Sequence, residues 1–256
     1  MIVEFFGPPG AGKTTLAQAI AARLRSDGYK VNLRLSNRPG EQIPSIKREC
    51  ELKEGGQLRY TLYRLARPAA ELLSLPRFSE RTRDGTAALV AMVPHASLFQ
   101  SLRQRQYLTR LSRAWFRGKR NCDVAIFDQA FLQAMATGLS FYPEISDQQL
   151  VDVFDTIPQS DLFVRLDTPA PQIEWRLARR RQLLGRFGGL FEESRGTAAD
   201  HVRAADRLSD LLIRRGRPLL RVGSDDGSLD NAVSAVEVRV LHMLPAASTE
   251  AATGLV

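Results

Sequence analysis

The 256-residue chain has two cysteines, Cys50 and Cys122, and no long hydrophobic run. Two cysteines are too few for a disulfide framework or a cysteine-based zinc cluster, and this usage is typical of a reducing compartment. No run of about 18 apolar residues occurs, so we expect no membrane-spanning segment. The opening MIVEFFGPPG has no basic stretch and no long apolar core, so we expect no signal peptide. Together these absences predict a cytoplasmic protein.

Lysine is also scarce, since five lysines stand beside 31 arginines, and the formal net charge is +8. Arginine offers a planar fork of donors that grips phosphate in a bidentate way. Its excess therefore favours a phosphate-bearing ligand, and nucleic-acid binding stays open. The apolar share of 44% and the charged share of 25% are ordinary for a globular protein, which excludes bulk disorder.

Five short apolar segments along the chain predict β-strands, and amphipathic segments between them predict helices. The first strand is followed by a glycine-rich loop, by a helix that we expect to stop at Gly28, and by a second strand. This strand–helix–strand order implies parallel strands joined by right-handed crossovers. The predicted strands are Ile2 to Phe6, Val31 to Leu35, Val124 to Phe127, Leu162 to Asp167 and Pro218 to Val222.

The stretch from about 46 to 120 differs from the rest, because Leu, Ala, Arg and Gln dominate it and strand patterns are scarce. It is too long for a loop, so we predict a large helical insertion, which Pro68, Pro76 and Pro94 divide into three or four helices. We expect residues 1–244 to form a single domain and the small, polar residues 245–256 to form a disordered tail.

The most specific motif is GPPGAGKT at residues 7–14, which fits GxxxxGK[ST] in full. At this composition about 0.003 accidental matches are expected in the whole chain. The glycines let backbone N–H groups curl around phosphate oxygens, and the helix that starts near Lys13 adds its positive end. Lys13 would bridge the β- and γ-phosphates, and Thr14 would ligate Mg²⁺. The predicted ATP-binding residues are Gly7, Pro8, Pro9, Gly10, Ala11, Gly12, Lys13, Thr14 and Thr15.

Asp128 follows the predicted strand at 124–127. Ligands of a parallel sheet lie beyond the carboxyl ends of its strands, so Asp128 and the glycine-rich loop are expected to face one cleft. There a carboxylate can hold Mg²⁺ through a bound water or accept a proton from an attacking hydroxyl. We therefore predict Asp128 as a catalytic residue and, with Thr14, as a metal ligand; the alternative is an aspartate that caps the next turn. Asp167 also ends a strand, and we expect it to cap the next helix.

Arginines cluster in the predicted helix WRLARRRQLL, which is expected to end at Gly185. Arg176 and Arg180 are four residues apart and so lie on one face of this helix. Because two guanidinium groups at such a short distance repel each other, they favour a polyanion between them. Such arginines can neutralise charge on a transferring phosphoryl group. We predict Arg176 and Arg180 as catalytic residues together with Lys13 and Asp128. The alternative is a solvated basic face.

The series FFGPPGAGKTT, VAIFDQAFLQA, FVRLDTPAPQIEWRLARRR and LLRVGSDDGSLDNAV resembles P-loop kinases of the nucleoside-monophosphate kinase group, most of all thymidylate kinases. The resemblance covers roughly residues 1–40 and 122–244. It implies a three-layer α/β P-loop NTPase fold with a five-stranded parallel sheet and an ATP and Mg²⁺ site at the loop. It also implies a lid that carries Arg176 and Arg180, and a base-contacting loop at Gly223-Ser224-Asp225.

Two departures from thymidylate kinases fall on the acceptor side. Those kinases have Asp-Arg-Tyr after the third strand, where the arginine grips the acceptor's phosphate, whereas this chain has Asp128-Gln129-Ala130. Gln129 can form hydrogen bonds but cannot neutralise a phosphate. The Arg-Glu-Pro-Gly loop of the family is only echoed, by Arg38-Pro39-Gly40-Glu41. The donor side is intact, so we expect phosphoryl transfer from ATP to an acceptor other than thymidylate.

The segment 101–120 contains seven basic residues and no acidic one. Three interpretations stay open: a binding face for a phosphorylated or polyanionic acceptor, a surface for nucleic acid, and a plain amphipathic helix. In the third, the arginines point into water and the buried residues are Leu102, Leu108, Leu111 and Trp115.

The favoured hypothesis is a cytoplasmic, Mg²⁺- and ATP-dependent kinase that acts on a small-molecule acceptor such as a nucleotide, a nucleoside or another metabolite. The alternative is a P-loop ATPase that works as a switch or assembly factor, with the basic insertion contacting nucleic acid or protein. No membrane partner is expected, and a homodimer stays open.

Overall fold

The computed structural model describes residues 1–35, 80–92, 98–118, 121–189, 197–223 and 229–244. Within these ranges the chain forms five β-strands and eight α-helices. The elements in chain order are β1 (Ile2–Phe6), α1 (Lys13–Ser26), β2 (Val31–Arg34), α2 (Glu80–Met92), α3 (Leu98–Gly118), β3 (Val124–Phe127), α4 (Phe131–Phe141), α5 (Asp147–Thr156), β4 (Leu162–Asp167), α6 (Ala170–Gly189), α7 (Ala198–Arg214), β5 (Leu219–Gly223) and α8 (Leu229–Met243).

The five strands form one parallel sheet in the order β2-β3-β1-β4-β5. This confirms the predicted α/β class and the five-stranded parallel sheet. The chain moves from β1 to β2 and β3 on one side and then crosses to β4 and β5 on the other. The strand order therefore reverses at β1, and such a reversal opens a crevice beyond the carboxyl ends of the strands.

Helices cover both faces of the sheet, which gives three layers. On one face Val3 and Phe5 of β1 pack with apolar residues of α1 and α8. On the other face Ile2 and Phe6 pack with α3, α4, α5 and α7. Because successive strand residues point to opposite faces, the apolar residues of β1 contribute to both cores at once.

The described part of the predicted insertion consists of α2 and α3. Helix α3 buries Leu108, Leu111 and Trp115, as the amphipathic interpretation expects. The centre of the Trp115 ring lies 5.0 Å from the centre of the Phe127 ring and 5.4 Å from that of the Phe131 ring. The structure does not describe the other residues of the predicted insertion, the side chain of Leu102 or the predicted tail at 245–256. None of the described helices combines the length and apolar character needed to cross a membrane.

Helix α6 corrects one predicted boundary. It continues through Gly185 and ends at Gly189, four residues beyond the expected stop. A glycine inside a helix costs only about 1 kcal/mol relative to alanine and removes no hydrogen bond, so it does not by itself end a helix.

Glu4 is the polar exception in the apolar strand β1, and its side chain is 0% exposed. Its Oε1 accepts hydrogen bonds from the backbone N–H groups of Leu132 (2.7 Å) and Gln133 (3.2 Å), and its Oε2 accepts one from the Ser160 hydroxyl (2.9 Å). Burial raises the pKa of Glu4 from 4.5 to about 7, against the opposing effect of these hydrogen bonds. The carboxylate thus ties β1 to the first turn of α4.

The raised pKa predicts a stability that depends on pH. The contribution of Glu4 to the free energy of unfolding is fully present below pH 4.5, and it is lost as the pH rises through about 7. Between those limits the free energy of unfolding should fall by about 3 kcal/mol through this group. The Glu4→Gln variant should lack that fall, because glutamine keeps an acceptor and does not titrate. Urea unfolding of both proteins between pH 5 and pH 8 measures the difference, and parallel curves would contradict the assignment.

Candidate active site

The loop between β1 and α1 has a backbone that only glycine adopts without strain at two decisive positions. Gly7 has φ 140°, and a Cβ there would lie 2.8 Å from the carbonyl oxygen of Leu166. Gly12 precedes α1 in a left-handed conformation with φ 97°. The loop therefore lies tightly against β4 and leads into the N-terminus of α1, the end of a helix that attracts anions.

Lys13 is folded back over this loop. Its side chain is 5% exposed, and its Nζ donates hydrogen bonds to the carbonyl oxygens of Gly7 (2.9 Å) and Pro8 (2.8 Å). The ammonium group thus lies along the concave side of the loop, where a phosphate chain would meet it. Thr15, also predicted as an ATP-binding residue, is exposed in the first turn of α1.

Thr14 and Asp128 meet across 114 residues of chain. The Thr14 hydroxyl donates a hydrogen bond of 2.7 Å to Asp128 Oδ2, and the Asp128 side chain is 0% exposed. The carboxyl end of β3 and the start of α1 therefore face the same cleft. A hydroxyl and a carboxylate are hard oxygen ligands of the kind that Mg²⁺ takes, so the two residues fit that ion. Their role as ligands stays a prediction.

Helix α6 covers the other side of the loop. Arg176 Nη1 lies 3.3 Å from the carbonyl oxygen of Gly10 and 3.5 Å from that of Ala11. A Cβ on Gly10 would meet Leu177 at 3.5 Å and the Ile173 carbonyl oxygen at 3.6 Å. The predicted lid helix and the phosphate loop are thus in direct contact. Arg180 lies in α6 one turn after Arg176, but its side chain is outside the described ones.

Asp167 corrects a second prediction, because it does not act as the expected helix cap. Its Oδ1 lies 2.7 Å from Arg165 Nε and its Oδ2 accepts a 2.8 Å hydrogen bond from Arg221 Nε. Arg165 is buried and also forms a 2.7 Å ion pair with Asp206 of α7. Helix α6 itself begins only at Ala170. Asp167 therefore joins β4 to β5 and, through Arg165, the sheet to α7.

A cleft of about 470 Å³ opens beside the phosphate loop. Its lining includes Pro8 of the loop, Thr168 after β4, Gly223 at the end of β5, and Asp206 of α7, together with the arginine–aspartate network around Asp167. The cleft is therefore continuous with the loop and lies at the carboxyl edge of β4 and β5, the edge where parallel sheets bind ligands.

Several predicted site residues lie outside the residues that the structure describes, namely Ser224 and Asp225 of the expected base-contacting loop and Arg38 to Glu41. Gln129 is half-buried beside Asp128.

Gln133 is a further contact of the phosphate loop, and the sequence did not predict it. Its side chain is buried, and Oε1 accepts a 3.0 Å hydrogen bond from the backbone N–H of Gly7. Its signal was a glutamine inside the otherwise apolar segment AFLQAMA.

The match to a known protein family falls on the segment that contains the phosphate loop. Residues 3–43 match the family model for the ATPase family associated with various cellular activities (AAA), a segment that runs from β1 through the phosphate loop and α1. No curated protein matches the chain. Among solved structures the chain is similar to a thymidylate kinase from Ehrlichia chaffeensis, with 14% sequence identity and a TM-score of 0.42, over 94% of this chain and 98% of that chain.

The chain has the 2-3-1-4-5 order of parallel strands and a glycine-rich loop between the central strand and α1. These features agree with the three-layer α/β fold and the phosphate loop that the sequence predicts. The matched segment and the geometry of its loop support nucleotide binding.

The contact between Thr14 and Asp128 generates a prediction for the carboxylate. Asp128→Asn keeps an oxygen that can accept from Thr14, so the fold should persist, but the neutral amide is a weaker metal ligand than a carboxylate and cannot take a proton. We expect ATP turnover to fall by about 10²–10⁴, with a smaller loss of ATP affinity.

The matched control for Asp128→Asn is Asp161→Asn. Asp161 accepts a 2.6 Å hydrogen bond from the Ile2 N–H just before β4, at the opposite edge of the sheet. Steady-state kinetics and ATP titration of the two variants measure the contrast. Near wild-type turnover by Asp128→Asn would indicate that Asp128 has only a structural role.

Proposed function

We propose that this chain is a kinase that transfers the γ-phosphoryl group of ATP to a small-molecule acceptor, in the manner of thymidylate-kinase-like P-loop kinases. The observation that carries the proposal is the 2.7 Å hydrogen bond between Thr14 and Asp128. It joins the phosphate loop to a strand-end carboxylate, which are the two parts that phosphoryl transfer requires in one cleft.

The residues around the loop suit binding of the phosphate chain of ATP. The loop N–H groups and the start of α1 offer hydrogen bonds and a positive end to phosphate oxygens. Lys13 needs only to exchange its carbonyl partners, Gly7 and Pro8, for phosphate oxygens. Mg²⁺ held by Thr14 and Asp128 would neutralise charge on the phosphates.

Asp128 and Arg176 suit the transfer itself. In the proposed step the hydroxyl oxygen of an acceptor bonds to the γ-phosphorus while its proton passes to the Asp128 carboxylate. The bond from the γ-phosphorus to the bridging oxygen breaks, and that oxygen leaves on ADP. Arg176, in contact with Gly10 and Ala11, is near enough to the loop to stabilise charge on the moving group. Arg180 lies on the same helical face by its spacing of four residues.

In this proposal the nucleoside of ATP binds in the cleft next to Pro8. It adjoins the phosphate loop and offers carboxylates and guanidinium groups for the ribose and base. The acceptor then enters from the Asp128 side, where Gln129 stands in place of a phosphate-gripping arginine. Since Gln129 carries no charge, the proposal favours an acceptor that needs no arginine at this position.

The arginine of the lid helix tests the proposal. Arg176→Ala should lower the rate of ATP-dependent phosphorylation by about a hundredfold or more and weaken ATP binding much less. Arg176→Lys should rescue poorly, because an ammonium group cannot reproduce the guanidinium fork. The measurement is transfer from γ-labelled ATP to a panel of nucleosides, nucleotides and other hydroxyl metabolites.

The matched control is Arg179→Ala, because Arg179 is exposed on the same helix and stacks 5.4 Å from the centre of the Trp175 ring. It should keep the wild-type rate. Equal losses in Arg176→Ala and Arg179→Ala, or no labelled product with any acceptor, would contradict the kinase proposal.

A second candidate, a P-loop ATPase that works as a switch with a polyanionic partner, is favoured by one surface. Arg105, Arg110 and Arg117 are exposed on α3, and no acidic residue occurs between 98 and 120. A nucleic acid bound to this face would release counterions from its phosphates, so its affinity would fall steeply with salt.

Replacement of these three arginines by glutamine distinguishes the two candidates. The kinase proposal expects the triple variant to keep ATP turnover, because the buried side of α3, with Leu108, Leu111 and Trp115, is unchanged. It also expects no salt-steep binding of single-stranded DNA or RNA to the wild type. Anisotropy titrations at several salt concentrations measure this, and tight binding that the variant loses would support the switch instead.

A further inference from the structure

Gln133 forms one hydrogen bond to β1 and another to the phosphate loop. Its backbone N–H donates to Glu4 Oε1 at 3.2 Å, and its side-chain Oε1 accepts from the Gly7 N–H at 3.0 Å. The residue is 6% exposed, and both bonds are buried. Gln133 therefore links the middle of β1 and the first residue of the phosphate loop to one turn of α4.

The same turn of α4 follows Asp128 directly. Only Gln129 and Ala130 separate Asp128 from the start of α4 at Phe131. The Leu132 N–H also donates to Glu4, which fixes this turn on β1 at a second point. The position of Asp128 relative to the loop is thus set through α4 as well as through the sheet.

The bond to Gly7 differs in kind from the bonds that Lys13 makes. Lys13 Nζ occupies the Gly7 and Pro8 carbonyl oxygens, and under the proposed function it turns to the phosphates when ATP binds. The Gly7 N–H is held by Gln133 from outside the loop, so this bond survives that exchange. Gly7 cannot be braced by a side chain of its own, because a Cβ would collide with the Leu166 carbonyl oxygen.

We propose that Gln133 is a positioning residue that holds the phosphate loop in register with Asp128 through its hydrogen bond to the Gly7 N–H. The inference rests on the proposed function, since it concerns the same site. Loss of the acceptor leaves the Gly7 N–H without a partner in a buried place, and the loop then shifts to satisfy it. A shift of about 1 Å in such a site can lower a rate a hundredfold.

Two variants remove the acceptor in different ways, and a third retains it. Gln133→Met keeps the length of the side chain without an acceptor, and Gln133→Asn keeps the amide but is one methylene too short to reach Gly7. Gln133→Glu keeps an acceptor oxygen at the same distance. The matched control is Ser140→Ala, which removes the 2.8 Å hydrogen bond from this buried serine to the Thr137 carbonyl on the same helix without touching the loop.

Each protein is measured for MgADP affinity by calorimetry, for basal hydrolysis of ATP and for its unfolding midpoint. We expect Gln133→Met and Gln133→Asn to lower hydrolysis about tenfold to a hundredfold and to weaken MgADP binding. Gln133→Glu should remain within about threefold of the wild type, because it keeps the acceptor. Ser140→Ala should lower the unfolding midpoint alone.

Several outcomes would overturn the inference. Wild-type affinity and hydrolysis in Gln133→Met or Gln133→Asn would do so, and if one of them fails to fold the other decides. A Gln133→Glu variant as impaired as Gln133→Met would indicate packing rather than the acceptor. A wild type that binds no MgADP would instead refute the proposed function, which separates the two failures.

Discussion

The hydrogen bond between Thr14 and Asp128 depends on the parallel pairing of β1 with β3. Glu4 pairs with Phe127, so β3 ends two residues before β1 does. Asp128 consequently leaves the sheet below the phosphate loop and reaches the first turn of α1. A shift of one residue in this pairing would turn the side chains of β3 to the opposite faces and separate the two groups. The register of two strands therefore sets the geometry of the whole site.

Two buried charged side chains, Glu4 of β1 and Arg165 of the neighbouring β4, each have several polar partners. Glu4 is bound by α4 and Ser160, and Arg165 is bound by Asp167, Asp206 and Ser209. Burying such groups without partners would cost several kcal/mol each. Their partners lie on α4, on α7, in the segment before β4 and at the end of β4 itself. The apolar layers thus hold the sheet together, while this polar layer fixes the elements at its carboxyl edge.

The described part of α6 and the network at Asp167 act on opposite sides of one loop. Arg176 contacts Gly10 and Ala11 from α6, whereas Arg165 and Arg221 hold the end of β4 next to Pro8. The cleft beside Pro8 is bounded by charged groups that already have partners, Arg165, Asp167, Asp206 and Arg221. A nucleotide in this cleft would therefore meet a preorganised surface, which lowers the reorganisation that binding and transfer require.

The sequence by itself determined the features that depend on neighbouring residues: the apolar runs of the strands, the glycines of the loop, and the helix that starts at Lys13. It also contains two local helix-start signals, the capping boxes at Ser146 with Gln149 and at Thr197 with Asp200, which begin α5 and α7. Only the tertiary structure decided that Gln133 holds Gly7, that Glu4 caps α4, and that Asp167 pairs with Arg221. Those partners lie 126, 128 and 54 residues apart, and no local pattern encodes which buried groups will meet when the strands align.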